Sequence, residues 1–264
     1  MLLRTYVDDS ADQTQEKAMV AGAFVGFYHQ WNKLQRQWRK RLKQDGLKYF
    51  RATEYYNLRG EFSRFRDPIK YPMPKGGQAA TALLNDLETI IHESQVMGIA
   101  VCVDMQIYNL VRNQEPHALN IFPADAFEVA LESLIMLCAT MVRDEFDGPC
   151  KIAFICDQSN TAPRIAALYT DFVNKHPELS DFLGGLVHQD DKQFPQLQAA
   201  DMMAHLAKGR FIDWLNDPTK TVFTDNKTLQ KRLKRLSVHQ IAVWNRPFMM
   251  RVLHDQLSAR GISV

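Results

Sequence analysis

The sequence predicts an α/β protein whose mixed sheet is covered by helices on both faces. Two or three early strand patterns are followed by strands that alternate with helical patterns, and this order is typical of mixed α/β sheets. The 264 residues are 46% hydrophobic, enough to bury a sizeable core. We expect one domain over residues 1–264, with an insertion around residues 30–98 and a helical C-terminal extension over residues 215–264.

The first half of the chain carries the early strand patterns and the expected insertion. Residues 2–7 read as a strand, residues 18–28 as its hairpin partner, and residues 31–42 as an amphipathic helix in which Trp31 and Trp38 are core anchors. Residues 60–77 contain three prolines and a Gly-Gly pair, which predicts an irregular loop. A helix over residues 79–97 is expected to stop at Gly98.

The second half predicts strands and helices in alternation. Strands are expected at residues 99–103, 151–156 and near 185–188. Helices are expected at residues 123–145, 163–174, 195–214, 227–236 and 245–259.

Basic residues are concentrated in two parts of a chain whose net charge is only +2. They crowd residues 33–51, continue to Lys75 and return at residues 227–235. One interpretation is a set of solvated helix faces. The sharper interpretation is a surface for the phosphate backbone of nucleic acid, with the aromatic residues Phe62, Phe65 and Tyr71 stacking on unpaired bases.

The four cysteines and the chain start favour a cytoplasmic protein. Cys102, Cys138, Cys150 and Cys156 lack C-x-x-C spacing, so we expect reduced core thiols. The first residues form too short an apolar run for a signal peptide, and nowhere do eighteen apolar residues run together. We therefore expect no membrane partner.

Acidic residues follow several of the predicted strands. Asp8, Asp104 and Asp157 each stand at such a point, and ligands of open α/β sheets gather outside the carboxyl ends of the strands. One aspartate after a strand is usually a turn former or a helix cap, but their coincidence indicates a shared site. Asp201 lies in a helical pattern with small residues on either side, so it is expected to face inward as a metal ligand or an ion-pair partner.

These motifs resemble those of the domain of unknown function 3800 family, whose members are similar to RNase H. The matching segments are Asp8-Asp9-Ser10, Trp31 to Trp38, Phe50-Arg51-Ala52-Thr53-Glu54, Cys156-Asp157 and Leu197-Gln198-Ala199-Ala200-Asp201-Met202-Met203-Ala204. Two positions depart from the family pattern, namely Ala11, where glycine is common, and Arg51, where we expect histidine. The resemblance implies an RNase-H-like fold and a metal-dependent phosphodiesterase.

In that interpretation Asp8, Asp157 and Asp201 bind Mg²⁺ or Mn²⁺, with Glu54 as the fourth ligand. Other candidates for the fourth position are Glu128 and Glu132. Asp9 is an alternative to Asp8, since strand alternation sends the two to opposite faces. His205 is a candidate proton shuttle, although a polar contact at the edge of the core is the commoner role.

The leading functional hypothesis is therefore a nuclease with these carboxylates as its catalytic residues. One alternative is a non-catalytic module of the same fold that binds nucleic acid or protein. Another is a metal-dependent phosphatase acting on small molecules, which the Asp8-Asp9-Ser10 motif disfavours because it lacks a second aspartate two positions on.

Overall fold

The computed structural model describes residues 1–12, 14–217 and 238–260. Its strands are β1 (Leu2–Ala11), β2 (Ala18–Phe27), β3 (Met97–Asp104), β4 (Lys151–Asp157), β5 (Leu183–Gln189) and β6 (Val238–Trp244). Its α-helices are α1 (Tyr28–Gln44), α2 (Ala52–Asn57), α3 (Lys75–Ser94), α4 (Met105–Gln114), α5 (Ala126–Glu145), α6 (Ala162–Lys175), α7 (Pro195–Asn216) and α8 (Arg246–Ala259). A 3-10 helix, Gly60–Arg66, lies between α2 and α3.

The strands form one sheet in the order β5-β4-β1-β2-β3-β6. Strand β2 is antiparallel to both of its neighbours, and the other three pairings are parallel. Five strands therefore point the same way, and their carboxyl ends share one edge of the sheet. The predicted α/β class, a mixed sheet flanked by helices, is confirmed.

Each face of the sheet carries its own hydrophobic core. Residues from α4, α5, α6 and α8 pack on one side, called here the α5 face, and residues from α1, α3 and α7 pack on the other, the α7 face. Strand β1 serves both, because Val7 belongs to the core of the α5 face and Tyr6 to that of the α7 face. Trp31 and Trp38 are 1% and 0% exposed, which confirms them as core anchors.

Helix α7 lies unusually close to the sheet at Gly22 of β2. A Cβ atom at Gly22 would lie 2.6 Å from the backbone nitrogen of Ala204 and 2.7 Å from its Cα. Ala199, Ala200 and Ala204 are all fully buried, as their small size predicts. The close contact brings the middle of α7, including Asp201, against β1 and β2.

The sequence-based boundaries differ from the structure in several places, three of which concern the strands. Strand β1 continues to Ala11, so Asp8 lies within the strand rather than after it. Helix α3 ends at Ser94, with Gln95 in a left-handed conformation (φ 58°), and Gly98 belongs to β3. Residues 238–244, expected in a helical extension over residues 215–264, form β6 instead.

Most other predicted elements are present. The helix predicted over residues 245–259 is α8, whereas the one predicted over residues 227–236 lies outside the described residues. The insertion expected around residues 30–98 coincides with α1, α2, the 3-10 helix and α3. That residues 1–264 form a single domain stays a prediction.

Two of the three aromatic residues that the predicted loop at residues 60–77 offers for stacking are buried. Phe62 and Phe65 lie on the 3-10 helix and are 0% and 3% exposed, and Tyr71 packs on Phe65 with ring centroids 5.4 Å apart. The predicted stacking role of Phe62 and Phe65 is therefore wrong, because both rings belong to the core of the α7 face.

The four cysteines are free and buried, in agreement with the expectation of core thiols. Over the described residues, no helix combines the length and the apolar character needed to cross a membrane.

Candidate functional site

Asp8 and Asp157 stand side by side at the carboxyl edge of the sheet. The last pair in the β1–β4 ladder joins Val7 to Cys156, and the two aspartates follow directly. Both face the same side as Tyr6 and Ile155, two positions earlier on each strand, which pack in the core of the α7 face. Both aspartates are half-buried.

Asp201 approaches them from α7. Its Oδ2 accepts a hydrogen bond of 2.6 Å from the backbone N–H of Ala52. Burial raises the pKa of Asp201 to about 6, against the lowering effects of that hydrogen bond and of Arg51. Burial, followed by the negative charges of Asp201, Asp9 and Asp157, holds the pKa of Asp8 well above its usual range. The three aspartates predicted as ligands therefore interact with one another.

A fourth aspartate, Asp191, which is not among the predicted ligands, joins this group. It is 6% exposed, and its backbone N–H donates to Asp157 Oδ1 at 3.1 Å. Its own carboxylate accepts hydrogen bonds from Arg51, at 2.5 Å from Nη2 and 3.1 Å from Nε. We call Asp8, Asp157, Asp191 and Asp201 the aspartate cluster.

Gln198 holds the surrounding segments in place. Its Nε2 donates to the carbonyl oxygen of Asp191 at 2.9 Å. Its Oε1 accepts from Trp38 Nε1 at 2.9 Å and from the backbone N–H of Phe50 at 3.0 Å. Because Gln198 is only 1% exposed, each of these bonds replaces one to water, and together they tie α1, the start of α2 and the Asp191 segment to α7.

Two cationic side chains border the aspartate cluster. Arg51 interacts with the charges of Asp191, Asp201 and Asp157, and its side chain remains 37% exposed. Lys208 donates to the carbonyl oxygen of Ala11 at 2.9 Å, and burial lowers its pKa against the opposing charges of Asp12 and Asp201. The cluster is therefore partly neutralised by the chain itself.

The three glutamates predicted as candidates for a fourth ligand lie outside the aspartate cluster and contact other residues. Glu54 accepts hydrogen bonds from the Tyr49 hydroxyl at 3.0 Å and from the Glu61 backbone N–H at 3.2 Å, so it fixes the turn after α2. Glu128 on α5 pairs with Arg164 at 2.8 Å, and Glu132 lies on the same helix. The structure brings none of these glutamates into the aspartate cluster.

Two further aspartates have separate surroundings. The pKa of Asp9 is raised by loss of solvent and then by the charges of Asp125 and Asp157, in keeping with its position on the opposite face from Asp8. Asp104 caps α4, where its Oδ1 accepts from the N–H groups of Gln106 and Ile107, each at 3.1 Å. Asp104 therefore has the helix-capping role that is usual for an aspartate after a strand.

The donor atoms of the aspartate cluster suit a divalent metal ion in their chemistry. Carboxylate oxygens are the ligands that Mg²⁺ and Mn²⁺ prefer. Within residues 1–12, 14–217 and 238–260, however, no three His, Cys, Asp or Glu side chains are arranged so that they could hold a metal ion together.

His205 lies one turn after Asp201 on α7. Its ring stacks on Tyr56, with centroids 4.4 Å apart and planes at 13°. Burial, and secondly the charge of Lys208, lowers the pKa of His205 to about 4. Its Nδ1 is buried and has no hydrogen-bond partner among the described residues. The ring is therefore neutral at physiological pH.

We expect His205 to make the folded protein sensitive to acid. Its folded pKa of about 4 lies below the ordinary value of 6.5, so its contribution to stability is complete above pH 6.5 and is lost as the pH falls toward 4. Between pH 7 and pH 5 the wild type should lose about 1 kcal/mol more unfolding free energy than His205→Phe, after allowance for solvent screening. Urea unfolding at the two pH values measures this difference.

The control is His29→Phe, since His29 is exposed and also stacks on an aromatic ring, that of Phe27. Its loss of stability between pH 7 and pH 5 should equal that of the wild type. Equal acid sensitivity in the wild type and His205→Phe would show that the buried neutral ring of His205 does not contribute to the pH dependence of the unfolding free energy.

Sequence signals for Asp191 and Arg51 existed. Asp190-Asp191 follows β5 at the same carboxyl edge as Asp157, so the argument that selected Asp157 applied there too. Arg51 occupies the position where the family resemblance leads us to expect histidine, and its pairing with Asp191 accounts for a cation at that point.

Comparisons with known proteins identify no relative. No family model matches the chain, and no curated protein matches it. Among solved structures, the chain is similar to one titled "Structure of the PCNA:RNase HII complex from Archaeoglobus fulgidus", with 12% identity, a TM-score of 0.38, and coverage of 99% of this chain and 91% of that one.

Proposed function

We propose that this protein is a divalent-cation-dependent phosphodiester hydrolase, a nuclease of RNase-H-like fold related to the domain of unknown function 3800 family. The observation that carries the proposal is the interaction of Asp8, Asp157 and Asp201, which come from two strands and a helix far apart in the sequence, at the carboxyl edge of the sheet. Like charges drawn together in a partly buried site favour the binding of a cation.

The cation proposed for this site is Mg²⁺ or Mn²⁺, held by Asp8, Asp157 and Asp201. The chemistry that such an ion supplies is stabilisation of the negative charge that develops on phosphoryl oxygens. Asp191 has another task, because it orients Arg51 through two hydrogen bonds. The exposed part of the Arg51 guanidinium is then free to contact a phosphate of the substrate.

A basic surface beside the cluster supports nucleic acid as the substrate. Arg36, Arg39 and Lys40 of α1 are exposed, and Arg39 Nη2 donates to the carbonyl oxygen of Gln193 at 3.1 Å. Since Gln193 is two residues from Asp191, this surface adjoins the aspartate cluster. A row of exposed cations next to an acidic centre suits a phosphate backbone whose scissile bond lies at the carboxylates.

The proposal predicts that Asp157→Asn and Asp201→Asn abolish cleavage. Each change removes a carboxylate charge with almost no change of shape, so Mg²⁺- or Mn²⁺-dependent cleavage should fall at least about 100-fold. The assay follows end-labelled single- and double-stranded DNA and RNA with and without EDTA. Mn²⁺ binding, measured by electron paramagnetic resonance, should weaken in the same variants.

Asp104→Asn is the matched control, because Asp104 ends another strand, β3, at the same sheet edge but caps a helix, a role that asparagine also performs. It should cleave at the wild-type rate. Undiminished cleavage by Asp157→Asn and Asp201→Asn, or equal losses in all three variants, contradicts the assignment of the site.

A second candidate is a nucleic-acid binding module without turnover. The position of Arg51 within the cluster favours it, as does the finding that no three described side chains are arranged to hold a metal ion. It predicts salt-sensitive binding of nucleic acid that neither EDTA nor Asp201→Asn alters. The nuclease instead predicts cleavage that EDTA abolishes, so one set of proteins separates the two.

A further inference from the structure

A cavity lies on the α5 face, the opposite side of the sheet from the aspartate cluster. It occupies about 560 Å³ between α5, the end of α6, β6 and α8. Small-molecule sites span about 300–1,000 Å³ and are mostly apolar, with a few polar groups at defined positions. The cavity matches both criteria.

Aromatic side chains form one wall of the cavity. Trp244 forms T-shaped contacts with Phe122, at 6.1 Å between centroids, and with Phe248, at 4.9 Å. The indole Nε1 of Trp244 donates to Ser133 Oγ at 2.9 Å, which fixes the orientation of the ring. Trp244 is 7% exposed whereas Phe248 is 37% exposed, so the aromatic wall continues from the interior to the opening.

Charged groups line another part of the cavity. Lys175 and Arg260 are exposed, and Glu132 is half-buried. Burial raises the pKa of Glu132, an effect that Lys175 opposes. Lys175 and Arg260 thus supply two positive charges against the single carboxylate among the described residues that line the cavity.

We propose that this cavity binds a small amphipathic molecule with a flat aromatic body and one anionic group. The body lies among Phe122, Trp244 and Phe248, where ring contacts and loss of apolar surface from water stabilise it. The anionic group lies at Lys175 and Arg260. The proposal is independent of hydrolysis, since no residue of the aspartate cluster lines the cavity.

A pair of fluorescent probes tests both parts of the proposal. 8-Anilinonaphthalene-1-sulfonate has the aromatic body and the anion, and N-phenyl-1-naphthylamine has the same body without the sulfonate. Both should bind the full chain saturably with one molecule per protein, measured by fluorescence and calorimetry, and the sulfonate should bind roughly threefold more tightly. Lys175→Gln combined with Arg260→Gln should remove that difference and leave binding of the uncharged probe unchanged.

Val252→Trp tests the position of the aromatic body, because Val252 lines the cavity and is half-buried. An indole there should weaken both probes at least about tenfold. Arg251→Trp adds the same ring at the adjacent exposed position of α8 and should bind as the wild type does. Circular dichroism verifies the fold of each variant.

Three results overturn the proposal. They are absence of saturable binding to the folded wild type, equal probe affinities in Val252→Trp and the wild type, and an unchanged preference for the sulfonate in the charge variant. Lys175 and Arg260 are exposed, so the charge variant decides the question even if Val252→Trp does not fold.

Discussion

Replacing Gln198 with leucine is expected to lower the free energy of unfolding by roughly 3–5 kcal/mol. The change leaves the Trp38 indole N–H and the Phe50 backbone N–H without their acceptor, and both residues are at most 1% exposed. An unsatisfied buried donor costs about 1–3 kcal/mol. Leucine has a shape similar to that of glutamine but no oxygen acceptor, so it replaces neither hydrogen bond. Urea unfolding at pH 7 measures the loss.

Gln78→Leu provides the comparison, since Gln78 is exposed on α3. The same substitution there should change the unfolding free energy by no more than about 0.5 kcal/mol. If Gln198→Leu unfolds at the urea concentration of the wild type, the hydrogen bonds at Gln198 do not hold these segments together. The positioning of the aspartate cluster then needs another explanation.

The second large effect is expected at Gly22, where alanine should cost about 2–3 kcal/mol. The added Cβ falls within 3 Å of backbone atoms of Ala204, and backbone cannot turn aside as a flexible side chain does. Helix α7 must move away from β2, which separates Asp201 from Asp8. Gly22→Ala should therefore unfold at a lower urea concentration than the wild type, and under the proposed function it should cleave nucleic acid more slowly.

Gly77→Ala is the matched control for the methyl group. A Cβ at Gly77 meets no atom within 4 Å, and alanine within a helix stabilises by about 0.5–1 kcal/mol relative to glycine. Alanine is therefore expected to lower the unfolding free energy at Gly22 and to raise it at Gly77. A stability for Gly22→Ala equal to that of the wild type would mean that α7 adjusts without cost and that its close contact is not what places Asp201.

Local patterns predicted most strands and helices because their apolar residues recur at regular spacing. Strand β6 was assigned to a helical extension although Ile241-Ala242-Val243-Trp244 is a short apolar run that ends at Asn245, the cap of α8. A run of that length fits a strand or a buried helix equally well. Only its pairing with the distant strand β3, in which Val101 lies opposite Ala242, decides between them.

The candidate functional site is only partly predictable from the sequence, because local patterns do not show which distant residues make contact. Asp8, Asp157 and Asp201 are predictable because the local pattern shows the element that carries each. Asp8 and Asp157 follow predicted strands, and Asp201 belongs to a predicted helix. Glu54 was selected from the family resemblance, but its carboxylate accepts from Tyr49 and Glu61 within its own segment. The pairing of Arg51 with Asp191 joins residues 140 positions apart, and no local pattern encodes such a contact.

The residues of the aspartate cluster are far apart in the sequence, and this separation determines when the cluster is complete during synthesis of the chain. Strand β1 lies between β2, which follows it in the chain, and β4, which begins at Lys151, while Asp201 arrives later still. Closing such long loops is slow compared with forming a hairpin. A ribosome-bound chain shorter than about 200 residues therefore has only part of the aspartate cluster, which is completed when Asp201 arrives with α7 and the helix docks on the sheet.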